Sequence, residues 1–133
     1  MLHGKRILLI VAGGIAAFKS LDLIRRLRER GASVRCVLTA AGAKFVTPLS
    51  LQALTEDRVY SDMFSLTDES EMGHIQLSRD ADLLVVAPAT ADLLARMVDT
   101  PDGVFLSLGD PDHSVTIAGI TKAQLTGTEF LFL

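Results

Sequence analysis

Residues 5–19, KRILLIVAGGIAAFK, decide the fold. Ile7-Leu8-Leu9-Ile10-Val11 is an unbroken apolar run, as expected of a parallel strand buried on both faces. Gly13 and Gly14 end it, and with no side chain there the backbone turns sharply and a ligand can approach closely. Beyond them Ile15, Phe18, Leu21, Leu23, Ile24 and Leu27 recur at helical spacing, with Lys19, Asp22, Arg25, Arg26, Arg28 and Glu29 on the other side. The pattern predicts one amphipathic helix of about four turns starting near Ile15. A strand that restarts at once as a helix leaves the N–H groups of Gly14, Ile15 and Ala16 facing the turn, where the helix dipole favours negative charge. The expected ligand is an anion, a phosphate monoester. GGIAAFK is neither GxGxxG nor a P-loop, so a purely structural turn is the alternative.

Outward from this junction, Gly31 closes the helix behind a cationic last turn. Residues 33–38, SVRCVL, form the second strand, and strand–helix–strand implies a right-handed crossover and a parallel pair. Thr39 then lies at the carboxyl end of that strand, on the same sheet edge as the glycine turn. Its hydroxyl either joins the same ligand or caps a short helix over residues 40–45. Thr47-Pro48 opens a second short helix over residues 46–54 as capping residue and first helical position. Residues 55–72 read as a long polar surface loop. A short helical segment with His74 follows, and a lone histidine there is by default structural.

Residues 82–87, DLLVVA, are the third strand, ending on Pro88-Ala89-Thr90-Ala91-Asp92 before a helix over residues 93–98. Pro88 cannot continue a ladder, Ala89 and Ala91 permit close approach, and Thr90 and Asp92 stand at a helix start. A capped helix is the plain reading. Two such turns on one edge point to a shared ligand crevice.

The composition narrows the class. A chain of 133 residues with 49% hydrophobic residues supports one domain with a core, and the net charge of −3 leaves no electrostatic footprint for nucleic acid. No basic block addresses a membrane surface, no run is long enough to span a bilayer, and no signal-peptide pattern opens the sequence. The single cysteine, Cys36, cannot form an intrachain disulfide and is read as core packing, which fits a reducing cytoplasm. No metal site is expected; His113 lacks a partner at ligand spacing and is read as a surface residue.

GGIAAFK, FVTPLSLQALT and MGHIQLSRDADLLVVAPATADLLAR together resemble the flavin-dependent cysteine decarboxylases, which act on peptidyl-cysteine and phosphopantothenoylcysteine. The match runs from about Gly4 to Met97. The resemblance implies a flavodoxin-like, Rossmann-type three-layer α/β fold with a parallel sheet, binding FMN and assembled as a homotrimer with each flavin near a subunit interface. By position, Gly13, Gly14 and Ile15 would hold the FMN phosphate with help from Thr39. Pro88, Ala89, Thr90 and Ala91 would line the flavin or its ribityl chain, and His74 corresponds to the family's catalytic histidine. The implied reaction is decarboxylation of 4'-phosphopantothenoylcysteine to 4'-phosphopantetheine in coenzyme A synthesis. A cysteine amide has no electron sink for its carboxylate, so a cofactor must supply one.

Residues 1–97 are thus a family-like core and 98–133 a divergent tail of one domain. The PxMN segment, the lid cysteine and the ligase half associated with the family are not found in the tail. Turn signals at Pro101-Asp102-Gly103 and Gly109-Asp110-Pro111 separate β-like runs at 104–108, 114–120 and 129–133, which predict strands extending the sheet or forming a hairpin. The alternative function is a flavoprotein that binds FMN or oligomerises without completing the decarboxylation.

Overall fold

A computed structural model describes residues 2–60, 80–90, 95, 97–101, 103–110, 113–118 and 121; within strands, the side chains of 106–110 and 113–118 lie outside the description. Four strands, β1 (Arg6–Val11), β2 (Ser33–Leu38), β3 (Val59–Tyr60) and β4 (Leu83–Val86), form a parallel sheet in the order β3-β2-β1-β4. The chain therefore moves outward from β1 to β2 and β3, then returns to the other side of β1 for β4. That reversal puts the carboxyl ends of β1 and β4 at a topological switch point, where open α/β sheets hold their ligands.

Alternation along β1 divides the core. Leu9 and Val11 face α1 (Lys19–Glu29) and α2 (Pro48–Thr55), packing with Ala17, Ile24, Cys36, Leu38, Leu51 and Val59. Leu8 and Ile10 face the other way, packing with Val37, Met97 and Val104. Both faces of β1 are dry, which is why its sequence does not alternate. Each fully buried Leu or Ile contributes about 1.5–3 kcal/mol over an exposed one.

β4 is locked to β1 at both ends. Asp82 N–H donates to the Arg6 carbonyl at 2.8 Å and Ala87 N–H to the Ile10 carbonyl at 3.0 Å. Arg6 returns its backbone N–H (2.8 Å) and Nε (3.3 Å) to Asp82 Oδ2 and its Nη2 (3.2 Å) to Oδ1. This forked pair holds the Asp82 carboxyl below the usual carboxylate range, the side-chain hydrogen bond being the largest cause and the backbone one next. A register slip of β4 would break the whole set, so the pair fixes what stands at the far end of the strand.

The structure departs from the sequence expectations in several places. The predicted long helix is a 3-10 turn (Ile15–Phe18) followed by α1. Residues three apart eclipse in a 3-10 turn, so Ile15 and Phe18 share one side, and that side is exposed (78% and 56%) while Ala17 is buried. The predicted helix over 40–45 is one 3-10 turn, Gly42–Lys44. α2 matches its signals: Thr47 Oγ1 accepts the Ser50 N–H at 3.1 Å and Pro48 is the first helical residue. β3 falls inside the predicted loop; two residues are too short for a periodicity signal.

The helix expected over 93–98 is contradicted at its end. Met97 and Val98 belong to β5 (Met97–Thr100), which pairs antiparallel with β6 (Gly103–Asp110), itself antiparallel to β7 (His113–Ala118). These strands make a sheet of their own and do not extend the parallel one. Met97 and Val104 carry it onto the Leu8–Ile10 face of the core. The expected run at 129–133 and the segment around His74 lie outside the described residues, as does the side chain of His113. Among the described residues no helix is long and apolar enough to cross a membrane.

Candidate functional site

The two turns singled out in the sequence meet at the switch point. Gly14 has φ 142° and ψ 154°, a conformation essentially restricted to glycine. A Cβ placed on it would lie 3.8 Å from Pro88 Cγ, so the β1 turn faces the residue that follows β4 across ordinary contact distance. The Ala87–Pro88 peptide is cis. Below the contact lies a cleft of about 200 Å³, with Ala16, Lys19 and Ser20 on one wall and Ala87, Pro88 and Ala89 on the other.

The polar groups in and beside this cleft suit an anion: of the turn, Ala16 lines it, and Gly14 and Ile15 come just before Ala16 in the chain. The first hydrogen bond of the 3-10 turn runs from Ala17 N–H to the Gly14 carbonyl at 3.0 Å, so the N–H groups of Gly14, Ile15 and Ala16 precede the ladder and have no partner within it. Among the described residues no carboxylate lines the cleft and Lys19 makes no ion pair. A phosphate would meet backbone donors, a helix dipole and a cation.

Gly13 has a different task from Gly14. Its φ is ordinary, but a Cβ there would stand 2.6 Å from Ala41 Cβ. The β1 turn is pressed against the segment that follows β2. Thr39 lies at that seam, 4% exposed. Its hydroxyl donates to the Val11 carbonyl at 3.3 Å and accepts the Gly42 N–H at 3.0 Å. The hydroxyl meets the first N–H of the 3-10 turn, as the capping reading expects, although Ala41 is the residue at the turn's start.

Pro88, Ala89 and Thr90 are half-buried, the first two lining the cleft, whereas Ala91 and His74 lie outside the described residues. Sequence reasoning missed Lys19 and Ser20 as cleft residues. Their position one turn beyond Ile15 and Ala16 is the signal that would have found them, because helical side chains lean back toward the N-terminus. A second cleft of about 100 Å³ opens at the opposite edge of the sheet among Arg6, Ser33, Arg35, Asp57 and Asp80. Its guanidinium groups are already engaged, Arg6 with Asp82 and Arg35 with Asp57, each at 3.2 Å. It also lies at the amino ends of the strands, away from the switch point. Cys36 is buried in the core, and burial pushes its thiol up to about 12, which removes it from any nucleophilic role.

The model of the family described as Flavoprotein matches residues 1–99. The chain belongs to the flavoprotein family. It is 53% identical over 96 residues to the coenzyme A biosynthesis bifunctional protein CoaBC of Vibrio vulnificus, a match covering 72% of this chain and 24% of that protein. It is 49% identical over 147 residues to the CoaBC of Haemophilus influenzae, covering 98% of this chain and 37% of that one. The chain thus spans about a quarter of the length of the first of these relatives. The Haemophilus match reaches past the family model into the tail, and its 147 aligned positions exceed the 133 residues here, so that relative carries additional residues within the matched span. Among solved structures, a cysteine-to-serine mutant of PPC decarboxylase complexed with pantothenoylaminoethenethiol superposes with a TM-score of 0.56 at 32% identity, covering 69% of this chain and 51% of that one. The four-stranded parallel sheet and its switch point fit the flavodoxin-like reading of the sequence.

Proposed function

We propose that this chain is the flavin-binding domain of an FMN-dependent decarboxylase, a carbon–carbon lyase that converts 4'-phosphopantothenoylcysteine to 4'-phosphopantetheine in coenzyme A biosynthesis. The observation that carries the reading is the Gly14–Pro88 approach across the switch point, in a chain 53% identical over 96 residues to a coenzyme A biosynthesis protein. The N–H groups of Gly14 and Ile15, with Gly13 giving the turn its close packing, hold the FMN phosphate. Pro88, Ala89 and Thr90, continued by Ala91, line the flavin or its ribityl chain and keep water from it. When bound, FMN supplies the electron sink that a cysteine carboxylate lacks. His74 is assigned the proton at the substrate's cysteine centre, or the orientation of its carboxylate, because an imidazole changes charge near neutrality.

A homotrimer is part of the proposal. Ile15, Phe18, Phe45 and Leu49 leave large apolar side chains exposed, the first two on the turn that leads into the cleft, and contact between copies would cover them. A cytoplasmic setting is likewise part of the proposal, with which a single buried thiol is compatible. A second reading, flavin binding without turnover, is favoured by Met97–Thr100 leaving the helical pattern for a separate antiparallel sheet.

The test is an absorption spectrum of the purified chain from about 300 to 550 nm, chromophore release, and a decarboxylation assay. Bound FMN with product formation supports the first reading, and bound FMN without product the second. A colourless chain that takes up no added FMN refutes both.

A further inference from the structure

We infer that the outer edge of β4 is an interaction surface that takes the same edge of a second copy of this chain, the two strands running antiparallel. The inference stands apart from the flavin reading. Residues 83–87, LLVVA, have the sequence of an inner strand, five apolar residues without alternation, as in β1. The structure nevertheless puts β4 last in its sheet, and β5, β6 and β7, which follow it in the chain, form another. Among the described residues β4 therefore pairs only with β1. All of β1 from Ile7 to Val11 is buried, whereas Leu83 is 45% exposed and Leu84, Val85 and Val86 are half-buried. An apolar edge of this kind, with no lysine or proline over 83–87 to blunt it, presents unpaired backbone groups to another strand.

Charge selects a second copy as the occupant. Asp80 and Asp82 stand before the amino end of β4, and Lys19 lines the cleft beyond its carboxyl end together with Pro88. Asp82 is matched by Arg6, but among the described residues Asp80 and Lys19 make no ion pair. Two identical edges related by a two-fold axis run antiparallel, which brings the acidic end of each copy to the Lys19 end of the other. The pairing supplies the contact and the charges fix its direction. Val85 is the middle of the apolar run. With the axis there, Leu83 meets Ala87 of the second copy, Leu84 meets Val86, and Asp82 falls beside Pro88. With the axis at Leu84 instead, Asp82 would be set against Val86.

The test is sedimentation velocity of the full chain over a range of concentrations, beside Leu83→Lys, Asp80→Lys, Lys19→Asp and the double variant of the last two. The unaltered chain is expected to hold an even number of copies: two, or six where the trimer proposed above also forms. Leu83→Lys, at a position already open to solvent, is expected to keep the circular dichroism of the unaltered chain, weaken the pairing about tenfold or more and leave one copy or three. Each charge reversal is expected to weaken the pairing, and the two together to restore it. On oxidation Val85→Cys is expected to form a disulfide between copies, because residues opposite each other at the axis come within bonding reach, and Leu84→Cys is not. An unaltered chain of one or three copies would overturn the inference, meaning that the edge is left open or is covered by the chain itself. So would a folded Leu83→Lys protein of unchanged mass, or charge reversals that change nothing or fail to restore each other.

Discussion

Gly13→Ala and Gly14→Ala place the same methyl group on adjacent residues and should fail for different reasons. At Gly13 the backbone is ordinary, so the whole effect is space: the new Cβ would lie 2.6 Å from Ala41 Cβ, 3.1 Å from its carbonyl carbon and 3.2 Å from its oxygen. Carbon atoms pack best at about 3.5–4.0 Å, so the two segments must separate by about 1 Å. Ala41 meets the intruder largely with backbone and cannot rotate away. Overpacking of this kind costs about 1–3 kcal/mol. At Gly14 the nearest atom would be 3.8 Å away, ordinary contact, but φ 142° is closed to a residue with a Cβ. Holding that conformation costs about 1–3 kcal/mol, and escaping it turns the N–H groups away from the cleft. Urea unfolding of both variants, with FMN titration of each, separates the two effects. Both are expected to lose FMN affinity. Both should also lower the stability of the flavin-free protein, and only Gly13→Ala, which displaces the seam with Ala41, should be relieved by a second change of Ala41 to Gly. A Gly13→Ala protein that unfolds at the original urea midpoint and binds FMN normally would refute the packed seam and the placement of the cofactor beside it.

Thr47→Ala removes the acceptor of the Ser50 N–H at the start of α2 and should cost about 0.5–2 kcal/mol, read as a lower denaturant midpoint. Leu51→Ala, at a fully buried position between α2 and the sheet, should cost about 2–5 kcal/mol in the same measurement. His74→Asn should leave FMN binding intact while abolishing any decarboxylation, and unchanged turnover would remove its assigned role. Asp82 has its pKa lowered by Arg6 in the folded state; its contribution is present above the ordinary carboxylate pKa and is lost as pH falls through the folded one. The stability gap between the unaltered chain and Asp82→Asn should therefore close at acid pH and be constant near neutrality. Cys36 runs the other way. Its thiol is pushed up to about 12 by burial, chiefly, and by Asp57, so stability should fall as pH rises above about 8.5, where the unfolded chain alone ionises. Cys36→Ala should remove that part of the alkaline slope, and the native thiol should resist alkylation until the protein unfolds.

The strands were legible because their burial is written as uninterrupted apolar runs: Ser33–Leu38 is found at the predicted bounds, and Arg6–Val11 and Leu83–Val86 lie within a residue of theirs. α2 was legible because its cap is local chemistry, a Thr and a Pro that act within four residues. What the sequence hid is what depends on partners distant in the chain. Ile15 and Phe18 have helical spacing, yet the turn there is 3-10 and its apolar side is left exposed. Met97 has helical neighbours in sequence, but the pairing of Met97–Thr100 with Gly103–Asp110 made it a strand, a tertiary choice overriding local pattern. Thr39 shows the limit most clearly, since cap and ligand readings use the same hydroxyl and its bond to the Val11 carbonyl, 28 residues earlier, is invisible to local pattern.

The site depends on both ends of β1. At its start, Arg6 and Asp82 set the register of β4; at its end, Thr39 and Gly42 hold the carbonyl of Val11. The first pair determines that Pro88, and not a neighbour one residue away, stands opposite Gly14, because a one-residue slip would also turn every β4 side chain to the other face. The second packs the segment after β2 against the root of the glycine turn. Arg6→Ala should therefore act differently from Thr39→Val. An exposed pair contributes little to stability by itself, but its loss frees β4 at the edge of the sheet, and the effect should appear on the Pro88 side of the crevice. Riboflavin, which has no phosphate and depends on that side, should lose affinity with Arg6→Ala and keep it with Thr39→Val. The reverse order, or equal losses in the two variants, would show that the two walls are not set independently from the two ends of β1.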